Sequence, residues 1–331
     1  MTQVLKQIIS VSFLLLFFSC SEYNEIVKSD DYELKLSKAE TLYEAGSYNR
    51  ALPLYEQVYQ RSPRDGRGEL AYYRLAKSYY AIEDYYMAGY YFSNFVNRFP
   101  SSTKGEECLF MGAICSVKLS PEASLDQEET ELALNDLQLF VQRYPNSNLV
   151  DSCNLVMDQL REKLEYKAFL SVKLYAQTER FKAAVVSGKS FIESYPQSQY
   201  REEVSFIMLE NASILAEKSV FSKQKERLED VLEIYSSYQV SFDKRRYQTR
   251  AKQYQERALR LLEKVNEETD FRAILASFSS SQSLSAKKKM DYLNETIERY
   301  HKFAKKYPDS EFLKKATETK DKADKEIRSI Q

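Results

Sequence analysis

Four cysteines and one histidine are the residues of this 331-residue chain whose types could support covalent or metal chemistry. Cys20 follows Lys6, an apolar run over residues 8–18, and Ser19. A basic start, a short apolar core and a small residue before the cut are typical of a secretory signal. The run is shorter than the about 20 apolar residues that cross a bilayer. The pattern predicts a lipoprotein signal over residues 1–19, with Cys20 as the lipid-bearing first residue of an exported protein. The alternative is an ordinary signal peptide with a coincidental cysteine.

The remaining reactive side chains do not form a catalytic or metal-binding pattern. Cys108, Cys115 and Cys153 are an odd number, so they cannot all be paired. We expect three small buried thiols, with a disulfide to Cys153 as the alternative. His301 is expected to be a surface or packing residue. We find no cluster with metal-ligand spacing and no phosphate-binding glycine motif, so we expect neither an enzyme nor a bound cofactor.

The composition favours helices and argues against a nucleic-acid partner. The chain has only seven glycines and seven prolines, a net charge of −1, and 44 tyrosines and phenylalanines. Such a balance provides no overall basic field for nucleic acid. The basic clusters at residues 244–246 and 287–289 are expected to be solvated faces, although they could also contact lipid headgroups or acidic partners. Gly66 and Gly68 are predicted to lie in a loop.

One aromatic and proline pattern recurs along the chain. Each copy has an aromatic residue five positions before proline, another directly before it, and serine two positions after it; the clear copies are residues 95–102, 140–147, 191–198 and 303–310. Proline forces the preceding residue out of the helical region. The serine can accept hydrogen bonds from the free amides of the next helix. Each copy therefore predicts the end of one helix and the start of the next.

A column of small residues lies twelve positions before each proline or its counterpart. It consists of Ala51, Ala88, Ala133, Ala184, Val231 and Thr296. Larger apolar residues three positions before and four after it share one helical face. The pattern predicts antiparallel helix pairs that stack, and it resembles the tetratricopeptide repeat in Gly46, Tyr48, Ala51, Tyr55 and Pro63. The resemblance implies an all-α superhelix of helix pairs.

Candidate binding residues follow from that resemblance, because the first helix of each tetratricopeptide unit lines the concave face. By this register Glu40, Tyr43, Tyr73, Lys77 and Tyr80 point inward. Tyrosine supplies contact area and a hydrogen bond with little loss of entropy, which suits an extended peptide. These residues are predicted to form a peptide groove, with simple helix packing as the alternative.

A segment at residues 119–130, inserted between the two helices of the third unit, narrows the resemblance. Together with the lipoprotein signal, the chain resembles the BamD family of tetratricopeptide lipoproteins, in particular versions from Bacteroidetes-like bacteria. The resemblance implies an anchor in the outer membrane, facing the periplasm, and membership of the barrel assembly (BAM) complex. It further implies binding of BamA, of other BAM subunits and of unfolded outer-membrane proteins.

The same interpretation divides the chain into four parts. They are a signal peptide (1–19), a tether (20–31), five tetratricopeptide-like repeats (32–247), and a helical extension with a sixth, irregular repeat (248–331). The alternative function is that of a general tetratricopeptide lipoprotein, acting as an adaptor in other cell-envelope processes. A lipid-anchored enzyme would need a catalytic constellation that we do not find.

Overall fold

The computed structural model describes residues 22–242, 246–282 and 285–330, and every regular element among them is a helix. The all-α prediction is confirmed. A short helix, α1, covers residues 22–28. It is followed by α2 (Tyr32–Glu44), α3 (Tyr48–Arg61), α4 (Gly66–Ala81), α5 (Tyr85–Arg98), α6 (Gly105–Leu119), α7 (Glu128–Arg143), α8 (Val150–Gln177), α9 (Phe181–Ser194), α10 (Arg201–Glu217), α11 (Phe221–Ser241), α12 (Gln248–Ser281), α13 (Ala286–Lys306) and α14 (Leu313–Ile330). Within these ranges, none of the helices combines the length and apolarity needed to cross a membrane.

The helices form two compact units, and the chain passes from one to the other within α8, after Lys167. In the first unit, each helix from α2 to α7 packs against the next one along the chain. In the second unit, the same neighbour-to-neighbour packing runs from α9 to α14. Each unit is therefore a stack of helix pairs, as the repeat predicts.

The predicted helix ends are where the proline pattern places them. Helices α3, α5, α7, α9 and α13 all stop at the residue before the one that precedes proline. The aspartate two positions after proline caps the next helix, as predicted, whereas the serines at that position bond to the residue just before the helix begins. Asp65 accepts from the amides of Arg67 and Gly68 at 3.0 Å. The hydroxyl oxygens of Ser102, Ser147, Ser198 and Ser310 each accept from the amide two residues later, at 3.0–3.2 Å.

The small residues of the column lie buried on the second helix of each hairpin. All six of its members are 0% exposed. The aromatic residue five before proline is buried as well, with Phe95 and Phe140 at 0% and Phe191 and Phe303 at 2%. Small and aromatic side chains thus alternate along one face of each second helix, which lets the first helices approach closely.

Two glycines show how the turns are made. Gly46, in the predicted turn between α2 and α3, has φ = 71°, a conformation that side chains other than glycine rarely adopt. The loop predicted at Gly66 and Gly68 is wrong, because both residues belong to the first turn of α4. Gly68 is buried there, and a Cβ on it would lie 1.7 Å from the carbonyl oxygen of Ser62. The glycine is needed for the close approach of two backbone segments.

Candidate peptide-binding site

The segment after Cys20 is folded onto the first repeat. Cys20 itself lies outside the described residues, but Ile26 of α1 is only 6% exposed and joins the core formed by α2, α3 and α4. The hydroxyl of Tyr23 donates to the carbonyl oxygen of Arg50 at 2.9 Å. Lys35 of α2 is 3% exposed, and its ammonium donates to the carbonyl oxygen of Val27 at 3.0 Å. Side chains from α1 and α2 therefore hold α1 in place.

Glu40 and Tyr43, on α2, form a cluster with Arg74 of α4. The Arg74 guanidinium donates to the Glu40 carboxylate, with 2.7 Å from Nη2 to Oε2 and 3.1 Å from Nε. Tyr55 of α3 donates to the same carboxylate at 2.6 Å. The guanidinium carbon of Arg74 also lies 4.1 Å from the centre of the Tyr43 ring. One arginine thus links the first helices of two successive repeats.

Tyr73 and Lys77, on α4, form a second cluster with Glu107 of α6. The Tyr73 hydroxyl donates to the Glu107 carboxylate at 2.9 Å, and the Lys77 ammonium does so at 3.1 Å. The Lys104 ammonium lies 5.6 Å from the centre of the Tyr73 ring. This cluster links the second repeat to the third in the way that Arg74 links the first to the second.

Tyr80 lies apart from both clusters. Its ring makes edge contacts with Tyr85 at 5.4 Å and with Phe92 at 6.5 Å between ring centres, both on α5. Its recorded ring contacts are thus within its own hairpin. Of the five predicted site residues, four belong to contacts between repeats and Tyr80 to contacts within one repeat.

Arg74 and Glu107 were missed in the sequence analysis. Arg74 lies 34 residues after Glu40, and Glu107 lies 34 residues after Tyr73. That spacing is the period of the tetratricopeptide repeat. A search for opposite charges or donor and acceptor pairs one period apart would have found both residues.

The clusters present neutral phenols and paired charges. Burial raises the pKa of Tyr55, and its hydrogen bond to Glu40 raises it further. Burial likewise raises the pKa of Tyr73, with Glu107 as the second cause. Both phenols therefore stay protonated over the physiological range and act as donors. The half-buried rings of Tyr43 and Tyr73 provide apolar area beside them, an arrangement suited to hold a peptide by contact and hydrogen bonding.

The thiols are buried, as predicted. Cys108, Cys115 and Cys153 are free and 0% exposed. Burial raises the pKa of Cys108 and of Cys115 to about 12. His301 is exposed on α13 beside Tyr300. Within the described ranges, no group of three or more His, Cys, Asp or Glu residues is placed to hold a metal ion.

The basic clusters lie on the surface where the structure describes them. Lys287 and Lys288 are exposed at the start of α13, and Lys289 pairs with Glu326 of α14 at 2.7 Å. Residues 244 and 245 lie outside the described residues.

Comparisons with known proteins point to one family. The family model described as "YfiO: Outer membrane lipoprotein" matches residues 30–228. The outer membrane protein assembly factor BamD of Caulobacter vibrioides is 24% identical over 178 residues, which cover 54% of this chain and 58% of that protein. The chain thus spans less than two thirds of that relative's length. BamD of Vibrio cholerae is 22% identical over 218 residues, covering 63% of this chain and 89% of that protein.

Solved structures give a weaker likeness. Yeast Tom70 matches with a TM-score of 0.32 and 14% identity, covering 89% of this chain and 70% of that one. A score that low adds nothing to the fold assignment, which rests on the helices themselves.

Proposed function

The chain belongs to the YfiO family of outer-membrane lipoproteins, and we propose that it is a lipid-anchored scaffold subunit of the BAM complex. In this role it binds BamA and unfolded outer-membrane barrel proteins and catalyses no reaction. The observation that carries the proposal is the family match over residues 30–228, which includes α2 to α10, most of the first compact unit and the beginning of the second.

The anchor is the acyl-modified Cys20, in the outer membrane with the repeats on the periplasmic side. Signal cleavage after residue 19 and a connecting segment over residues 20–31 complete the N-terminal part of the proposal. The docking of Ile26 and the contact of Lys35 with Val27 make most of that segment part of the first repeat, which keeps the repeat near the proposed anchor. The two clusters of α2, α4 and α6 are the proposed groove for the unfolded chain.

Depletion of the protein tests the assembly role. Without it, folded barrel proteins in the outer membrane should decrease, and wild-type protein should restore them. Cys20→Ala should release the protein from the membrane fraction and fail to restore them. Cys115→Ala, which removes a buried cysteine 95 positions later in the sequence, is the matched control and should restore them. Unchanged barrel levels after depletion would refute the assembly role.

A peptide-binding measurement tests the groove. The probe is a peptide from the end of an outer-membrane barrel protein, labelled and titrated with the complete chain. Tyr73→Ala and Lys77→Ala should weaken binding by about 5–30-fold, the loss expected for central contact residues. Tyr86→Ala is the control, since Tyr86 is 74% exposed on α5 and belongs to neither cluster. Equal affinity of all three variants would refute the groove.

The second candidate function is an adaptor for other cell-envelope proteins. It shares the anchor and the repeats, so Cys20→Ala would release the protein from the membrane fraction in both cases. Pull-down in mild detergent separates them. BamA should co-purify with a BAM subunit, whereas its absence together with normal barrel levels would favour the adaptor.

A further inference from the structure

A cavity of about 480 Å³ lies in the second unit, apart from the clusters described above. Its floor is one face of α10, and its walls are α9 and α11. The floor begins at Arg201 and continues through Ser205, Met208, Ala212 and Leu215. These positions recur every three or four residues, so they form one stripe along the helix. At 1.5 Å per residue the stripe is about 21 Å long.

The first unit fills the corresponding place with its own tyrosines. Tyr59 of α3 packs against Tyr72 of α4, with 4.7 Å between ring centres. Tyr79 of α4 stacks on Tyr91 of α5 at 5.4 Å and an angle of 11° between the rings. Four rings from three helices thus occupy the space between two second helices and the first helix below them.

The register of the repeats identifies the counterparts in the second unit. Pro63 and Pro196 are 133 positions apart, and the same offset takes Tyr59, Tyr72 and Tyr79 onto α9 and α10. Tyr59 corresponds to Ile192, Tyr72 to Ser205 and Tyr79 to Ala212, while Tyr91 corresponds to Ile234 through the proline counterpart at residue 243. All four counterparts line the cavity. The cavity therefore exists because smaller side chains stand where the first unit has aromatic rings.

The charges of the cavity are arranged unevenly. Arg201 stands at one end, and its Nε is buried without a hydrogen-bond partner in the described residues. A buried donor left unpaired is unfavourable, so an acceptor from outside would be favoured there. The α11 wall carries one base, Arg227, and two acids, Asp230 and Glu233, and Glu226 lies one turn before Asp230. On the α9 wall Lys189 and Glu193 balance each other, so the excess negative charge of the walls is on α11. Burial raises the pKa of Asp230, and Glu226 and Glu233 raise it further.

We infer that this cavity binds an amphipathic helix of a partner protein. The helix presents two aromatic side chains seven positions apart with apolar residues between them, a carboxylate over Arg201, and basic residues along α11. Ser205 and Ala212 are themselves seven positions apart, two helical turns or about 10.5 Å. A partner helix places residues i and i+7 at the same interval and so supplies rings at both vacated positions. The inference does not depend on the assembly role.

The size of the cavity agrees with such an occupant. A cavity of about 150 Å³ lined by apolar side chains holds one benzene, so about 480 Å³ has room for roughly three apolar side chains. An amphipathic helix in a groove uses three or four anchors at i, i+3 or i+4, and i+7. The apolar side chains of the floor, with Arg201 at one end and the excess of acidic side chains on the α11 wall, match that mode.

The test uses a blocked 16-residue peptide of defined sequence and the complete chain. The peptide carries Trp at position 5, Leu at 8 and 9, Phe at 12, Lys at 6 and 13, and Glu at both ends, so that either direction places a carboxylate at Arg201. The chain itself contains no tryptophan, so the emission reports on the peptide alone. Burial of the Trp ring should shift its emission to the blue in a saturable way, at micromolar concentrations of the chain.

Two variants address the two parts of the inference. Ser205→Tyr combined with Ala212→Tyr restores the rings of the first unit and should weaken binding at least about tenfold without unfolding the chain. Arg201→Gln should weaken binding about tenfold, the loss of one charge-assisted hydrogen bond. The same variant should not weaken binding of a peptide with Gln in place of both Glu residues. Val240→Tyr, on the exposed face of α11 at 86% exposure, is the matched control and should bind as the wild type does.

Three results would overturn the inference. The first is no saturable shift up to 1 mM of the chain. The second is equal binding of a peptide with proline at positions 7 and 10, which would indicate an extended occupant. The third is a dimer in sedimentation that the Ser205→Tyr and Ala212→Tyr variant dissociates, which would indicate that a second copy fills the cavity.

Discussion

Replacing Arg74 with methionine tests whether the arginine joins the first two repeats. Methionine keeps most of the apolar stem but removes the charge and all the donors. Arg74 makes charge-assisted hydrogen bonds to Glu40 and lies over the Tyr43 ring. The two charged side chains are only 21% and 28% exposed, so water screens them poorly. Hydrogen bonds to a charged group contribute about 1.5–3 kcal/mol, and a partly exposed cation–π contact about 0.5–1 kcal/mol. We expect a loss of about 2–4 kcal/mol from these two terms.

The loss should appear locally, in the first repeat. Hydrogen exchange followed by mass spectrometry should show faster exchange in α2 and α3, because Arg74 holds α2 against α4. The matched control is Arg299→Met, which breaks an ion pair of the same length, 2.7 Å, between residues four positions apart on α13. Such exposed pairs contribute about 0.3–0.5 kcal/mol, so the control should change little.

A double-mutant cycle separates the ion pair from the packing of Arg74. The cycle combines Arg74→Met with Glu40→Gln, and we expect a coupling energy of at least about 1 kcal/mol for residues in contact. Additive effects of the two substitutions would refute the link between repeats. So would an Arg74→Met effect no larger than that of Arg299→Met.

Three further predictions concern burial. Ile26→Ala should reduce protection from exchange in residues 22–28, since truncating a buried isoleucine costs about 2–5 kcal/mol and Ile26 is the buried apolar anchor of α1; unchanged protection would contradict the docking. Cys108 and Cys115 should not react with a thiol reagent at pH 8 in the folded chain and should react after denaturation, because their pKa values are about 12; rapid modification of the native protein would contradict their burial. Burial and Glu107 raise the pKa of Tyr73 above the ordinary value of about 10 for a tyrosine, so the stability that its neutral form contributes is complete below pH 10 and falls as the pH rises above it. Denaturation midpoints at pH 9 and 11 measure this, and Tyr73→Phe should reduce the difference.

The helix pairs could be predicted from the sequence because packing in them repeats in one dimension. Each hairpin buries a small residue and an aromatic residue at fixed positions, for example Ala88 and Phe95 in the second repeat. The same two positions are buried in the other repeats. Proline fixes each helix end independently of the rest of the fold. These local requirements do not depend on repeat length, so the helix ends can be predicted from the sequence from α3 to α13.

The contacts between repeats could not be predicted in the same way. Arg74 and Glu107 are polar residues on half-exposed faces, where hydrophobic periodicity contains no information about partners. The burial of Lys35 could not be predicted either, because nothing in the sequence indicates its hydrogen-bond acceptors. A lysine in an N-terminal helix is expected to be solvated. The carbonyl oxygen of Val27 and the side-chain oxygen of Gln57 accept hydrogen bonds from its ammonium, which explains its 3% exposure. The glycines of α4 were misread because Gly68 serves a close backbone approach rather than a loop.

The cavity of the second unit could be predicted from the sequence only in part. The register that aligns Tyr72 with Ser205 and Tyr79 with Ala212 is visible in the sequence. What the sequence does not show is whether neighbouring side chains move in to fill the space left by the missing rings. The structure answers this, because α9 and α11 stay at their positions on α10 and leave the floor open.

The docking of α1 gives the proposed anchor a mechanical consequence. If the lipid is on Cys20, only Ser21 separates it from the folded helix that starts at residue 22. An extended chain spans at most about 3.6 Å per residue, so the attachment point lies within about 7 Å of α1. A flexible tether over residues 20–31 would instead allow about 40 Å. The tie between Lys35 and Val27 therefore restricts how far the first repeat, with its Glu40 and Arg74 cluster, can move from the bilayer surface. Ile26→Ala would free α1 and so let the first repeat move farther from the bilayer, while Cys20 would still carry the lipid. The variant therefore tests the effect of this distance separately from the effect of losing the anchor.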